Sequence, residues 1–183
     1  MEPFLSVYGH VAVDQICTVS KFPRDNTTED VLTKTTVLGG TGPNVAVHAA
    51  RLGVPTALCA FVGNDFPVHF EKYIADSGLI MDEFHRVDGY DTSQCTLVTD
   101  SENVLKALFY QGPQGYASKL GIRQIKNASA SKYVHFLTGD PEYYIGLMKD
   151  IPGRISLDPA QEVHRIWNAD LMDRAMADTD YLF

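Results

Sequence analysis

The stretch Val37–Asp65, VLGGTGPNVAVHAARLGVPTALCAFVGND, decides how the chain folds. Gly39 and Gly40 stand side by side, Gly42 and Pro43-Asn44 follow at once, and an alanine-rich run comes next. Residues 43–52 are predicted to be helical. Pro43 suits a first helical turn, where its missing N–H costs nothing, and Gly53 stands where a helix stops. The apolar run TALCAFVG (56–63) reads as a buried strand, and FPVHFEKYIADSG (66–78) as a second helix ending at Gly78. The glycine pair lets backbone approach a ligand with no Cβ in the way. The start of the helix offers N–H groups and a partial positive charge. The Asn44 amide donates and accepts, which suits sugar hydroxyls. The same residues also fit a tight strand-to-helix turn with asparagine as its cap, and taken alone they leave both open.

Working outward, FLSVYG (4–9) reads as a first strand, and QICTVS (15–20) and DVLTKTTVL (30–38) as further strands. EFHRV, SQCTLVTD and NVLKALFYQ, separated by turn-rich DGYDT and DSEN, have the look of a β-meander. Alternation then resumes: a helix near 118–127, a strand over 132–138, a helix near 141–150, a strand over 154–158, a helix near 167–177 and a strand over 180–183. Strands alternating with helices predict a parallel sheet covered on both faces. Ligand groups normally lie on the loop beyond such strands. The strand opening at Asp180 meets the last residue, so the 183 residues are expected to be part of a larger folding unit.

Composition narrows the functional classes. The chain is 45% hydrophobic and 21% charged over 183 residues, which suits one soluble globular domain. A net charge of −8 argues against nucleic acid as a partner. No apolar run reaches the ~18 residues of a membrane span, and the N-terminus lacks the basic flank of a signal peptide. Cys17, Cys59 and Cys95 are isolated, which points to a reducing cytoplasm. GGTGPN is neither GxxxxGK[ST] nor GxGxxG, so neither phosphate-loop motif applies. The six histidines show no metal-ligand spacing, and no metal site is expected. Asp14 closely follows the first strand, at the expected carboxyl edge of the sheet, where a carboxylate can accept two hydrogen bonds from a diol or simply be a solvated turn residue. Asp140 and Asp158, each followed by proline, read as helix caps.

VYGHVAVD, FPRDNTTED, GGTGPNVAVHAARLG and VGND, in that order and spacing, resemble the ribokinase/PfkB family of sugar and nucleoside kinases. The later TGDP and ISLDPA resemble that family's middle strands. The resemblance implies a Rossmann-like (ribokinase-like) α/β fold, a parallel sheet with helices on both faces and a small β lid. It covers the chain throughout but only the N-terminal part of a family member, making residues 1–183 a partial domain. The lid strands fall within about 15–38 and 88–112 and often form a dimer interface. By position, Asp14 matches the substrate-binding aspartate, Gly39, Gly40 and Asn44 match the pair and asparagine that line the sugar pocket, and Thr41 beside the pair is a further substrate-binding candidate. Gln94 and Thr96 are candidates to point into that pocket, and Phe109 to pack on a base or sugar ring.

The departures bear on substrate. Thr41 stands where ribokinases usually carry lysine, Ala12 where they carry asparagine, and Gly139-Asp140 where many sugar kinases place a glutamate. These weaken the case for ribose and fit a nucleoside kinase or another sugar kinase. The family's catalytic aspartate, in a Gly-Ala-Gly-Asp element, and the preceding Asn-x-x-Glu element are not found in these residues, so no catalytic residue is assigned. The implied activity is transfer of the ATP γ-phosphate to a hydroxyl of a sugar or nucleoside, with Mg2+. The ATP and metal site is mostly outside this chain, which alone is expected to be inactive. The alternative is a non-catalytic sugar- or nucleoside-binding module.

Overall fold

The computed structural model describes residues 2–183. Six strands form a parallel sheet: β1 (Leu5–Tyr8), β4 (Thr56–Gly63), β5 (Phe84–Val87), β8 (Tyr133–Phe136), β9 (Arg154–Leu157) and β10 (Tyr181–Leu182), in the order β10-β9-β8-β1-β4-β5. All eight residues of β4 are buried, as a central parallel strand requires. Alternate residues of β1 and β4 serve opposite faces. Val7, Leu58, Ala60 and Val62 pack with Ala46 and Val47 of α1 (Thr41–Arg51) and Ile74 of α2 (Val68–Asp76). Tyr8, Cys59, Phe61 and Phe136 pack on the other face. There they meet Ala128 of α3 (Lys126–Ala130), Ile145 and Leu147 of α4 (Pro141–Met148) and Ala175 of α5 (Ala169–Met176). This is the ribokinase-like fold with helices on both faces.

Four further strands form a separate lid sheet in the order β3-β2-β6-β7: β2 (Ala12–Val19), β3 (Val31–Gly39), β6 (Ser93–Thr99) and β7 (Leu105–Tyr110). β2 runs antiparallel to β3 and parallel to β6, so two hairpins from distant parts of the chain are joined edge to edge. Leu32, Leu105 and Leu108 on its strands are exposed.

Three local expectations need correction. The EFHRV strand does not belong to a meander with the lid. As β5 it pairs parallel with β4 at the edge of the main sheet. The helix expected near 118–127 is instead a 3-10 turn over Pro113–Lys119 followed by the short α3. Gly121, at φ 69°, interrupts the run between them. Asp14 is the third residue of lid strand β2 and not a turn residue past β1, because β2 starts earlier than its sequence pattern suggests. Asp140 does cap α4, accepting from the Glu142 and Tyr143 amides and also from the Ser118 amide at 2.8 Å. Asp158 accepts from the Ala160 amide at 2.9 Å. Among the described residues no helix is long and apolar enough to cross a membrane.

Candidate functional site

Chain order along the sheet reverses between β1 and β8. From β1 the chain builds outward through β4 and β5, and from β8 through β9 and β10 in the other direction. In open parallel sheets the crevice at such a point, beyond the carboxyl ends of the strands, is where ligands bind. A cavity of about 160 Å³ lies there, lined by His10, Asp14, Gly40, Thr41, Asn44, Cys95, Phe109, Thr138 and Gln161. His10 follows β1 and Thr138 follows β8, Gln161 comes from the 3-10 turn after β9, and the lid supplies Asp14, Cys95 and Phe109.

The glycine pair shapes this cavity through two different contacts. A Cβ on Gly39 would lie 2.1 Å from Asp14 Oδ2 and 2.5 Å from Oδ1, so the missing side chain makes the space the carboxylate occupies. Gly40 has φ 95°, and a Cβ there would lie 2.1 Å from the His10 carbonyl oxygen. Gly40 therefore lets the turn close against the segment after β1, where the Gly42 amide donates to His10 O at 3.1 Å. Gly40 is also the N-cap of α1, and no side chain caps the helix. Asn44 lies inside the helix with its side chain at the cavity, so the reading of it as a cap is set aside. The helix start offers fewer free donors than expected. Gly42 is engaged by His10, Pro43 has no N–H, and the Asn44 amide donates to Gly40 O at 3.4 Å.

A polar chain runs behind the cavity floor. Thr41 Oγ1 lies 2.7 Å from Thr138 Oγ1, which lies 3.0 Å from His10 Nδ1. Beyond it, Glu162 Oε1 is 3.9 Å from the same nitrogen. Glu162 accepts from the Gly139 amide at 2.8 Å and from Gln111 Nε2 at 3.4 Å. Burial pushes the Glu162 carboxyl up to about 7 and the His10 imidazole down to about 4, so His10 is neutral at physiological pH. Burial also raises Asp14, and raises Cys95 with help from the Asp14 charge beside it. The His10 ring meets Phe109 edge-on at 5.1 Å between centroids.

Of the residues picked from sequence, the structure brings Asp14, Gly40, Thr41, Asn44 and Phe109 to one cavity, with Gly39 behind the Asp14 carboxylate. Gln94 and Thr96 do not join them. Asp14 is in register with Cys95, and Cys95 with Phe109, so the residues on either side of Cys95 face away. A strand read one residue out of register exchanges its two faces, and that is the physical reason for the error. His10, Cys95, Thr138 and Gln161 escaped sequence reasoning. The signal that could have found His10 and Thr138 is their place just past β1 and β8, flanking the switch point.

A larger groove of about 550 Å³ runs between β3, α1 and α2, and Asn44 lines both spaces. Its lining mixes apolar side chains with two imidazoles, Arg51, Asn44 and the hydroxyls of Thr36 and Tyr73, and it holds no carboxylate. The smaller cavity, at about 160 Å³, is too small to enclose ATP. Among the described residues no group of three or more His, Cys, Asp or Glu is placed to hold a metal. The cavity lining offers hydroxyl, amide and carboxylate groups and neither lysine nor arginine, so it does not fit a triphosphate.

Comparison with known proteins agrees with this fold. The chain is 30% identical over 185 residues to a nucleoside kinase of Methanothermobacter thermautotrophicus, covering 98% of this chain and 59% of that protein. It superposes on the crystal structure of the Methanocaldococcus jannaschii nucleoside kinase, an archaeal member of the ribokinase family. The TM-score is 0.89 at 26% identity, covering all of this chain and 61% of that one. A Burkholderia thailandensis nucleoside kinase in complex with inosine shares the fold, with a TM-score of 0.80 at 17% identity over 97% of this chain and 59% of that one. The chain therefore spans about three fifths of the length of the relatives it matches. The pfkB family carbohydrate kinase model matches residues 2–152. The chain belongs to the pfkB family of carbohydrate kinases.

Proposed function

We propose that these residues bind and orient the alcohol substrate of a sugar or nucleoside kinase that transfers the γ-phosphate of ATP, with Mg2+, to a substrate hydroxyl. The observation that carries this reading is the meeting of Asp14 and Asn44, from the lid and the core, in one cavity at the switch point. In this scheme the Asp14 carboxylate accepts hydrogen bonds from two hydroxyls, and Asn44 donates to and accepts from a third group. Gly39 keeps the carboxylate in place, and Phe109 covers the ring. Lid and core hold the alcohol in a partly dry space, which is the positioning share of phosphoryl transfer. The charge-neutralising share needs groups outside this cavity, so residues 1–183 alone are expected to bind substrate and transfer nothing. Similarity to nucleoside kinases favours a nucleoside over a free sugar.

Titration of inosine, ribose and glucose into the protein by calorimetry, with Asp14→Asn as control, tests this. Binding of one of them, weakened at least about tenfold by the substitution, is expected, since a hydrogen bond to a charged group is worth about 1.5–3 kcal/mol. No binding, or binding indifferent to Asp14, overturns the assignment. Binding by the full-length protein without ATP-dependent transfer favours the non-catalytic module. We further propose that the lid pairs with a second copy of the chain through exposed side chains such as Leu32, Leu105 and Leu108, and that the protein works in the cytoplasm, consistent with three free cysteines.

A further inference from the structure

The larger groove of about 550 Å³ takes no part in holding the alcohol, and its chemistry differs from that of the cavity. Its size suits a small organic ligand, whose sites commonly measure roughly 300–1,000 Å³. Asn44, His48 and Arg51 stand at i, i+4 and i+7 on one exposed face of α1, so they form a row of hydrogen-bonding groups along the groove. Seven residues of helix make that row about 10 Å long. His69 and Tyr73, also exposed and four residues apart on α2, line the groove from the other helix. Val37, Pro43, Val47 and Phe70 add apolar surface. Arg51 gives the groove a permanent charge. Arg86, Arg123, Arg154 and Arg174 each pair with a carboxylate. Arg51 instead donates to the neutral Tyr73 hydroxyl at 2.7 Å, one acceptor for a group with five N–H donors. Of the chain's 23 Asp and Glu, none among the described residues lines the groove. A helix C-terminus favours cations in its last turn, which accounts for His48 and Arg51 but not for the imidazole and phenol on α2.

We propose that this groove is a second ligand site, which takes a nucleoside monophosphate and through Asn44 opposes binding of the alcohol in the cavity. The phosphate meets Arg51 and His48 at the end of the row far from the cavity, where the guanidinium fork matches its oxygens. The flat base lies on the apolar surface with its polar edge toward Asn44 and Thr36. Inorganic phosphate uses only the charged end, and an uncharged nucleoside leaves Arg51 without its anion, so the joined molecule is the one that fills the row. Asn44 lines both spaces. An amide turned to a base in the groove is withdrawn from the hydroxyl it holds in the cavity, so the two ligands weaken each other by the same factor. The groove site stands on its own lining, while the coupling rests on the reading of the cavity as a polyol site. A monophosphate is also what the proposed transfer makes of a nucleoside, so the site lets product hold back substrate.

Calorimetric titration of inosine monophosphate into the protein tests this, with inosine and inorganic phosphate as comparison ligands. The monophosphate is expected to bind, and inorganic phosphate to bind at least about tenfold more weakly. Arg51→Gln should keep the melting temperature, because the Tyr73 contact it loses is exposed, and should weaken the monophosphate at least about fivefold. Its effect on inosine should stay under about twofold. Saturating monophosphate should weaken inosine at least about threefold in the native protein. With 15N-labelled histidine, the monophosphate should move the His48 and His69 ring resonances and leave buried His10 still. Should Arg51→Gln fail to fold, that measurement on the native protein decides. No binding of the monophosphate, inorganic phosphate bound as tightly, or monophosphate binding indifferent to Arg51→Gln overturns the site. Monophosphate binding lost in Asp14→Asn, with His48 and His69 unmoved, places the ligand in the substrate cavity and overturns it too. An inosine affinity unchanged by saturating monophosphate refutes the opposition through Asn44. If inosine does not bind while the monophosphate binds through Arg51, the polyol reading falls and the groove site stands.

Discussion

Gly39 and Gly40 are neighbours with different duties, and alanine at each should separate function from folding. At Gly39 the added Cβ meets the tip of a flexible side chain, with the Asp14 carboxylate oxygens at 2.1 and 2.5 Å. The backbone there is not in the left-handed region, so Asp14 swings aside and the fold survives. Gly39→Ala should change stability by less than about 1 kcal/mol, since alanine also lowers the entropy of the unfolded chain. On the proposed reading, displacing the carboxylate forfeits its bonds to substrate hydroxyls. One such bond lost is at least about tenfold in Kd, and two are about a hundredfold or more. At Gly40 the Cβ meets backbone, His10 O at 2.1 Å, in a residue held at φ 95°. His10 O cannot retreat freely because it accepts from the Gly42 amide at 3.1 Å. Gly40→Ala should cost at least about 2 kcal/mol and lower the melting temperature by roughly 5 °C or more. Calorimetric titration with the best-bound probe and thermal melts of both variants make the comparison. Native affinity in Gly39→Ala, or a native melting temperature in Gly40→Ala, refutes the reasoning from these contacts.

Further expectations concern the groups around the cavity. Between pH 4 and 6.5 the unfolded chain takes up a proton that buried His10 refuses, so this group's contribution to stability rises with pH. Glu162 acts in the opposite sense: between pH 4.5 and 7 the native state holds a proton the unfolded chain has lost, so stability falls as pH rises. The two slopes largely cancel in the native protein. Glu162→Gln should expose the His10 slope, about 3 kcal/mol gained from pH 4 to 6.5 in urea unfolding, and profiles that run parallel in the two proteins would contradict it. Asp140→Ala removes a cap that also holds the Ser118 amide and hydroxyl, and should cost roughly 2–4 kcal/mol, with a loss under about 1 kcal/mol counting against it. Cys59 is fully buried and its thiol raised, whereas Cys95 is half-buried at the cavity. Iodoacetamide should therefore label Cys95 slowly, faster at high pH, and more slowly still with a bound nucleoside, while Cys59 stays unmodified. Equal labelling with and without ligand would place the thiol away from the binding surface.

The parts legible from sequence are those whose signals are local. The buried run at Thr56–Gly63, the proline in the first turn of α1 and the glycine after it fixed one strand and one helix nearly to the residue. Asp14 and Asn44 stand out through motif spacing, and the structure places both on the cavity, with Asp14 in the space that Gly39 leaves open. What was not legible depends on register or on distant chain. Nothing in SQCTLVT says which residue faces down, because both faces of β6 are partly buried, so Cys95 was passed over for its neighbours. His10 and Thr138 lie 128 residues apart in sequence and touch only because β8 pairs beside β1. Phe84–Val87 has too short a pattern to show whether it joins the lid or the main sheet, and its pairing with β4 settles that.

The lid's parallel seam has a consequence for the order of folding. Ala12 pairs with Ser93 and Thr18 with Thr99, so β2 and β6 can meet only once the intervening α1, β4, α2 and β5 have brought their ends together. Closing so long a segment carries a large entropic cost before any ladder bond forms, and non-local pairings of this kind form slowly. The two hairpins, β2–β3 and β6–β7, are local, and each is expected to form before the seam that joins them. In refolding, the cavity wall that Asp14 and Cys95 build across that seam should appear only after both hairpins are formed.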